Sequence, residues 1–432
     1  MTGDEARWLS ATEIVRLVGA GELDPQAVVQ AHLEAIERLD PRIHAYIYVD
    51  REARGRAGPY AGVTLAVKDS QPVAGMPYTY GTASWRDRVA GEDAVPVARA
   101  RRVGMAILGK TNLPELAASV GTTNTLFGPT HNPWREGITP GGSSGGSGAA
   151  VAAGMTTVAM GGDTGGSIRI PASCCGVVGL RPTPERVPCE EVDATALQSR
   201  GPMTRTVADA RLLFAVMSAT TPPDASPRRV TKVVGVADST PLGVDPACRD
   251  ACRRAAAALE SSGHHVEHIE WDPEPVAHGY AVVRRASMAS FPADLSTFGP
   301  GIRRLAEEGR GLTAMDYFQA FESATDAANR AVAVPLQTRY DFLLTPTLGL
   351  LPMPIEQTPA FLADEWARYI QFVLPVTFAR VPAVSIPAGL HEGLPVGVQL
   401  VGQHAQEYEL LDFAEQLERS SGFGFQRPPG LE

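Results

Sequence analysis

Serine and glycine are concentrated in two neighbouring segments, where a serine hydroxyl could act as a nucleophile. The first segment is "TPGGSSGGSGAAVAAG", residues 139–154, and the second is "GGDTGGSIRIPAS", residues 161–173. A flexible linker has a similar composition, but the apolar continuation "AAVAAGMTTVAM" favours a packed helix or strand. A phosphate-binding loop requires G-x-x-x-x-G-K-[ST], and no lysine follows either cluster. Serine chemistry is the remaining interpretation.

The most familiar serine motif in these segments points to Ser144. Residues 142–146, "GSSGG", match the G-x-S-x-G elbow, in which a buried strand leads directly into the nucleophile. The preceding "NPWREGITP" contains two prolines, a glycine and charged residues, which are incompatible with such a strand. We therefore interpret the match at Ser144 as accidental.

A candidate base stands earlier in the chain, at the end of the apolar segment "VTLAVK". This segment predicts a buried strand that ends at Lys68. A serine hydroxyl is a poor nucleophile until a base takes its proton. Lysine has an ordinary pKa of about 10.4, so it can be that base near neutral pH only where burial disfavours its ammonium form. The position of Lys68 is compatible with this requirement.

In order along the chain, "AVKD", "GGSSGGSGAAVAAG" and "GGDTGGSIRIPASCCGVVGLRPT" resemble the amidase signature family of serine hydrolases. The resemblance extends from "LSATEIVRLVGAGELDPQAVV" to "EGLPVGVQLVG", with "GKTNLPELA" and "FGPTHNPW" between them. It implies a Ser-Ser-Lys triad in which Ser167 is the nucleophile, Ser143 the bridging serine beside a cis peptide bond, and Lys68 the base. Ser143 would take the proton of Ser167 while giving its own to Lys68.

The residues around Ser167 suggest how its loop is used. In "DTGGS" the backbone amides of Thr164, Gly165, Gly166 and Ser167 can converge on one point and form an oxyanion hole. Asp163 and Arg169 flank this stretch, and we interpret them as a structural pair.

Substrate contacts are less defined by the sequence. Thr123 and Asn124 in "VGTTNTLFG" are candidates to line the site, with loop capping as the alternative. The family often has Phe-Asn before a Gly-x-Pro-Ala segment, whereas this chain has "TFARVPAVSIP". Arg380 in that departure could bind a substrate carboxylate, and a surface salt bridge is the alternative.

Short apolar strands alternate with helical segments throughout, which predicts an α/β fold. The resemblance implies one large domain, 1–432, with a central mixed, twisted β-sheet covered by helices on both faces. We divide it into N-terminal helices (1–60), a catalytic core (61–220), a variable substrate-shaping region (221–345) and a C-terminal return to the sheet (346–432).

Composition narrows the function classes. Among 432 residues the net charge is −10, which disfavours nucleic acid as a partner. No apolar run is long enough to span a membrane, and the acidic N-terminus does not resemble a secretory signal. Five cysteines without a CxxC pair predict no zinc site and suit a cytoplasmic location. We expect no cofactor and no metal, and leave open whether the protein is a homodimer.

The resemblance implies an amidohydrolase that cleaves a small carboxamide through an acyl-enzyme. An amide synthase or acyltransferase would use the same intermediate. The glutaminase (A) subunit of a tRNA-dependent amidotransferase is a further alternative, since it shares "DTGGS" and the following "IR.PAS" pattern. No counterpart of its "GTY" segment is identified here.

Overall fold

One large β-sheet takes its strands from residues 46 to 401 of the chain. The computed structural model describes residues 3–190, 193, 195–223, 230–291, 294–358 and 365–431. Its strands are β1 Tyr46–Val49, β2 Thr64–Lys68, β3 Ala106–Thr111, β4 Thr123–Asn124, β5 Gly128–Pro129, β6 Val158–Asp163, β7 Val178–Arg181, β8 Ser199–Thr204, β9 Val233–Val236, β10 His265–His268, β11 Phe342–Pro346, β12 Ala383–His391 and β13 Leu394–Val401.

Within the described residues, 11 strands pair in the spatial order β1-β3-β2-β6-β8-β7-β12-β13-β11-β9-β10, while β4 and β5 form a separate ribbon. β2 runs parallel to both β3 and β6, and β9 runs parallel to β10 and β11. The other neighbouring pairs in the large sheet are antiparallel. The sheet is therefore mixed, as predicted.

The helices lie between and around these strands. They are α1 Gly3–Ala6, α2 Ala11–Gly19, α3 Pro25–Ile43, α4 Val95–Arg102, α5 Gly145–Ala152, α6 Arg169–Cys175, α7 Val207–Ser218, α8 Pro246–Ser261, α9 Glu274–Ala289, α10 Pro300–Arg310, α11 Ala314–Ala328, α12 Val334–Thr338, α13 Trp366–Tyr369, α14 Val373–Phe378 and α15 Glu407–Glu418. A π-helical turn, Asn329–Ala333, joins α11 to α12.

Several helix starts follow directly from local sequence. Ser10 accepts a hydrogen bond from the Glu13 amide and forms a capping box at the start of α2. Asp24 caps α3, whose first residue is proline. Thr206 caps α7 by accepting the Asp209 amide at 3.1 Å. These caps stand where the side-chain types predict them.

The packing of β2 explains how the sheet positions Lys68. Side chains alternate between the two faces of a strand. Leu65 and Val67 belong to the apolar core on one face, while Ala66 belongs to a second core that also contains residues 149–152 of α5. Lys68 shares the face of Ala66, so its side chain extends toward α5 and the loop that precedes this helix.

Candidate active site

The loop before α5 brings Ser143 to Lys68. Lys68 Nζ donates to Ser143 Oγ at 2.7 Å and lies 3.5 Å from the Gly162 carbonyl oxygen. Lys68 is 2% exposed and Ser143 is 1% exposed. The peptide bond between Gly142 and Ser143 is cis. The sheet and the loop therefore place a lysine and a serine hydroxyl in direct, buried contact.

The backbone around Ser143 is packed too closely for a side chain at position 142. A Cβ atom there would lie 2.7 Å from the Ser119 carbonyl oxygen and 2.9 Å from that of Gly121. The Thr122 hydroxyl donates to the Gly141 carbonyl at 2.7 Å. Residues 119–122 thus form the surface against which the Ser143 turn is held.

Ser167 stands in a second turn, between β6 and α6. Its carbonyl oxygen accepts a hydrogen bond from the Ser144 amide at 3.1 Å, which joins the two serine turns directly. Ser167 is partly exposed. The hydrogen bonds within the described part of the chain do not include one between the hydroxyls of Ser167 and Ser143. The relay step between these two hydroxyls therefore stays a prediction.

The Asp163 carboxylate holds the Ser167 turn through hydrogen bonds to its backbone amides. Its Oδ1 accepts the Gly166 amide at 2.8 Å and its Oδ2 accepts the Ile168 amide at 3.2 Å. The Arg169 guanidinium donates to both oxygens at 3.0 Å, so the predicted structural pair is confirmed. Arg181, also fully buried, donates to the Asp163 carbonyl oxygen at 2.6 Å and to Oδ1 at 3.3 Å. One carboxylate thus fixes the residues on both sides of Ser167.

Charge, rather than burial alone, determines the ionisation of this carboxylate. Burial by itself would raise the pKa of Asp163, but Arg169 and Arg181 hold that pKa well below its ordinary value. Burial lowers the pKa of Arg181 to about 10, which leaves it protonated at neutral pH. The network is therefore ionic throughout the physiological range.

Arg169 also connects the Ser167 turn to the C-terminal part of the sheet. Its Nη1 donates to Gln399 Oε1 in β13 at 2.7 Å and to the Val373 carbonyl at 3.1 Å. Its Nη2 donates to the Thr377 hydroxyl at 2.8 Å. These bonds fix α14 against the Ser167 turn.

The four amides predicted for an oxyanion hole differ in their hydrogen bonding. The Gly166 amide donates to Asp163 and so already has an acceptor. The amides of Thr164, Gly165 and Ser167 have no acceptor within the described part of the chain. Thr164 is exposed at the surface of this turn. Three of the four amides are therefore without an acceptor in the described part of the chain, and their role in an oxyanion hole stays a prediction.

Tyr280 of α9 covers the same turn, and no sequence motif marks it. A Cβ atom at position 165 would lie 2.5 Å from the Tyr280 hydroxyl oxygen, so this side chain lies directly against Gly165. The ring of Tyr280 packs near Trp366 at 6.1 Å between centroids. α9 thus forms a wall of the site.

Asn124, one of the predicted substrate contacts, acts within its own loop. Its amide nitrogen donates to Asn112 Oδ1 at 2.8 Å and to the Leu113 carbonyl at 2.7 Å. Its Oδ1 accepts the amides of Leu126 and Phe127. These contacts are those of the loop-capping alternative, and the neighbouring Thr123 is exposed.

Arg380, the other candidate contact, follows α14 with a left-handed φ of 55°. Its Nη2 donates to the Thr195 carbonyl at 3.2 Å, and its guanidinium lies 5.9 Å from the centroid of the Phe321 ring. Within the described residues it forms no salt bridge. A role in substrate binding stays a prediction for both Thr123 and Arg380.

Among the described residues, no three His, Cys, Asp or Glu side chains are grouped so that they could hold a metal ion. The helices that the described ranges contain include none with the length and apolar character needed to cross a membrane.

The chain has the amidase signature fold, as comparison with solved structures shows. A solved structure of 6-aminohexanoate cyclic dimer hydrolase in complex with its substrate superposes with a TM-score of 0.89 and 29% identity, covering 99% of this chain and 100% of that chain. A bacterial aryl acylamidase superposes with a TM-score of 0.85 and 25% identity, covering 97% of each chain.

Sequence comparison gives the family. The acylamidase of Rhodococcus erythropolis is 32% identical, over 99% of this chain and 98% of its own. The A subunit of glutamyl-tRNA(Gln) amidotransferase from Chromohalobacter salexigens is also 32% identical, over 96% of this chain and 97% of its own. The Amidase family model matches residues 27–411. The chain belongs to the amidase family.

Proposed function

We propose that this protein is an amidohydrolase that cleaves the C–N bond of a small linear carboxamide through an acyl-enzyme on Ser167. The observation that carries this proposal is the buried 2.7 Å contact between Lys68 Nζ and Ser143 Oγ, beside a turn that is hydrogen-bonded to Ser167. The similarity to an acylamidase over nearly the whole chain supports the same class of reaction.

The reaction would proceed in two halves. Ser167 Oγ attacks the amide carbonyl carbon, its proton passes to Ser143, and the Ser143 proton passes to the neutral amine of Lys68. The C–N bond then breaks, and the leaving nitrogen takes up a proton returned through the same relay. Water next attacks the acyl ester, releasing the carboxylic acid and restoring the Ser167 hydroxyl. Amides around Ser167 would stabilise the oxyanion of each tetrahedral intermediate.

The proposal is tested by trapping the intermediate. Purified protein is screened against a panel of simple amides, and the intact mass is recorded during turnover of the best substrate. We expect a mass increase equal to the acyl group, located on the peptide that contains Ser167 and lost in Ser167→Ala. Ammonia or amine release without any acylation of Ser167 would contradict the mechanism.

The acyl-transfer alternative uses the same intermediate and differs only in what attacks it. Product analysis with and without an added amine separates the two. Hydrolysis predicts the free acid as the main product at moderate amine concentration, whereas a synthase would give the new amide in preference to the acid.

The glutaminase alternative is supported by the similarity to the A subunit of an amidotransferase. It predicts that glutamine is the preferred substrate and that activity depends on a partner protein. Glutamine hydrolysis by the purified chain, compared with simple amides, distinguishes the two functions.

We also propose that the enzyme works in the cytoplasm on a small-molecule amide, without a cofactor. All five cysteines are free thiols, and Cys174, Cys175, Cys248 and Cys252 are buried, in keeping with a reducing compartment. Whether the protein forms a homodimer is left to a measurement of its mass in solution.

A further inference from the structure

Three side chains of α9 share the face of the helix that meets the Ser167 turn and form a line along it. Tyr280, Arg284 and Met288 are spaced four residues apart, so they lie on one face of the helix. Tyr280 lies against Gly165 in the Ser167 turn. Met288 packs in a small apolar cluster that includes Leu116 and Ala118. Arg284 is therefore placed between these two contacts.

The far end of this line leads to the Ser143 turn. Ala118 directly precedes the segment 119–121, whose carbonyl oxygens lie against Gly142. Consecutive members of the line are about 6 Å apart along the helix axis, at 1.5 Å per residue. The face of α9 thus extends from one serine turn toward the other, with Arg284 at its centre.

Arg284 has no polar partner in the described part of the chain. The residue is partly buried, and its Nε is fully buried without a hydrogen-bond acceptor. By contrast, the adjacent Arg285 pairs with Glu308 at 2.8 Å on the outer side of the helix. A buried donor without an acceptor is costly, and a guanidinium is suited to bidentate binding of a carboxylate.

The carboxylate of Glu115, beside this cluster, bonds to other groups and not to Arg284 in the described part of the chain. Both oxygens of Glu115 accept hydrogen bonds, Oε1 from the Thr82 hydroxyl at 3.0 Å and Oε2 from the Gly299 amide at 2.9 Å. Arg380 differs from Arg284 in that its Nη2 already donates to Thr195. No side chain in the described part of the chain supplies an acceptor to Arg284, so the acceptor would be water or a bound molecule.

We propose that Arg284 binds a carboxylate carried by the substrate, so that the enzyme prefers anionic amides. This inference rests on the proposed amidohydrolase function and assigns the substrate class of the same site. The carboxylate could stand on the acyl part, as in a dicarboxylic acid monoamide, or on the amine part, as in an N-acylglycine. Both kinds of molecule present the same chemistry to Arg284.

Binding is measured separately from turnover. Ser167→Ala protein is titrated calorimetrically with succinamic, glutaramic and adipamic acids, with N-acetylglycine and N-butyrylglycine, and with the methyl esters of all five. The titrations are repeated with three double variants, in which Ser167→Ala is combined with Arg284→Gln, with Arg284→Lys or with the matched control Arg285→Gln. Circular dichroism of each variant monitors folding. The wild-type protein is then assayed for hydrolysis of the same compounds.

We expect at least one acid to bind more tightly than its ester. Arg284→Gln should weaken the binding of that acid by about 10- to 100-fold and leave the binding of its ester unchanged. Arg284→Lys should retain part of the preference, and Arg285→Gln all of it. The proposal is overturned if no acid is preferred, or if Arg285→Gln has the same effect as Arg284→Gln. Selective binding without hydrolysis would instead count against the proposed function and leave this assignment standing.

Discussion

The turns that carry Ser143 and Ser167 contain the same residue types but are held by different forces. The Ser143 turn is buried and lies against backbone carbonyls of residues 119–121. The Ser167 turn is partly exposed and is fixed by the carboxylate of Asp163 with its two arginines. Close packing tolerates little added volume, whereas an ionic network is sensitive to loss of charge. The two turns should therefore respond to different substitutions.

Removing the hydroxyl of Ser167 or of Ser143 tests which serine is the nucleophile and which is the proton relay, and should give the largest effects. Ser167→Ala removes the attacking atom, so we expect kcat to fall by about 10⁴-fold or more. Ser143→Ala leaves the nucleophile but removes the proton relay, and general-base catalysis is typically worth about 10²–10⁴-fold. Steady-state rates for the best amide substrate measure both.

A smaller loss for Ser167→Ala than for Ser143→Ala would reverse the assigned roles. Ser144→Ala is the matched control, because this hydroxyl belongs to the motif that we interpret as accidental. It should retain most of the activity, although its contacts with Gly162 at 3.3 Å are lost.

Asp163→Asn tests whether charge holds the Ser167 turn. The substitution leaves Arg169 and Arg181 buried without their counter-ion, and breaking a buried pair typically costs about 3–5 kcal/mol. We expect that loss in the free energy of unfolding, measured by urea denaturation at pH 7. A change below about 1 kcal/mol would mean that hydrogen bonds alone hold the turn.

The same variant has a defined pH dependence. Asp163 has a lowered pKa in the folded protein, so its stabilisation is fully present above the unfolded pKa near 3.8 and is lost as the pH falls below that value. The difference in unfolding free energy between wild type and Asp163→Asn should therefore be constant from pH 7 to 5. It should shrink below pH 4, and a constant difference down to pH 3 would contradict this.

Substituting alanine for Gly142 or for Gly165 tests how closely each turn is packed and should give the smallest effects. Gly142→Ala places Cβ against backbone oxygens that cannot move independently, so we expect a loss of about 1–3 kcal/mol. Gly165→Ala meets the end of the Tyr280 side chain, which can shift, and should cost less. Thermal and urea unfolding measure both.

A double variant sharpens this comparison. Tyr280→Phe removes the hydroxyl that lies nearest to the added methyl group, so it should recover part of the stability lost in Gly165→Ala. Equal costs for the two glycine variants, with no recovery by Tyr280→Phe, would show that the two turns are packed alike.

Much of the fold could be predicted from local sequence. The helix caps, the buried strand ending at Lys68 and the Asp163–Arg169 pair depend on residues close to each other in the chain, where side-chain type and spacing are informative. The mixed sheet and its class followed from the family resemblance rather than from the residue pattern alone.

The remaining parts of the site depend on long-range packing. Arg181 and Tyr280 reach the Ser167 turn from a strand and a helix that sequence spacing does not place there. The sequence offers Asn124 as a substrate contact or a loop cap, and its amide nitrogen donates hydrogen bonds to residues at most 12 positions away. Only a three-dimensional arrangement reveals which polar groups still lack partners.

The contacts between Asp163, Arg169 and Arg181 have an electrostatic consequence. One carboxylate faces two guanidinium groups, all fully buried, so these three side chains together carry one net positive charge, which the more distant Asp193 partly offsets at Arg181. Water cannot screen that excess as it does at the surface. A positive potential beside the Ser167 turn would favour any step in which negative charge accumulates on an oxygen bound at that turn. This stabilisation would require no movement of the backbone amides.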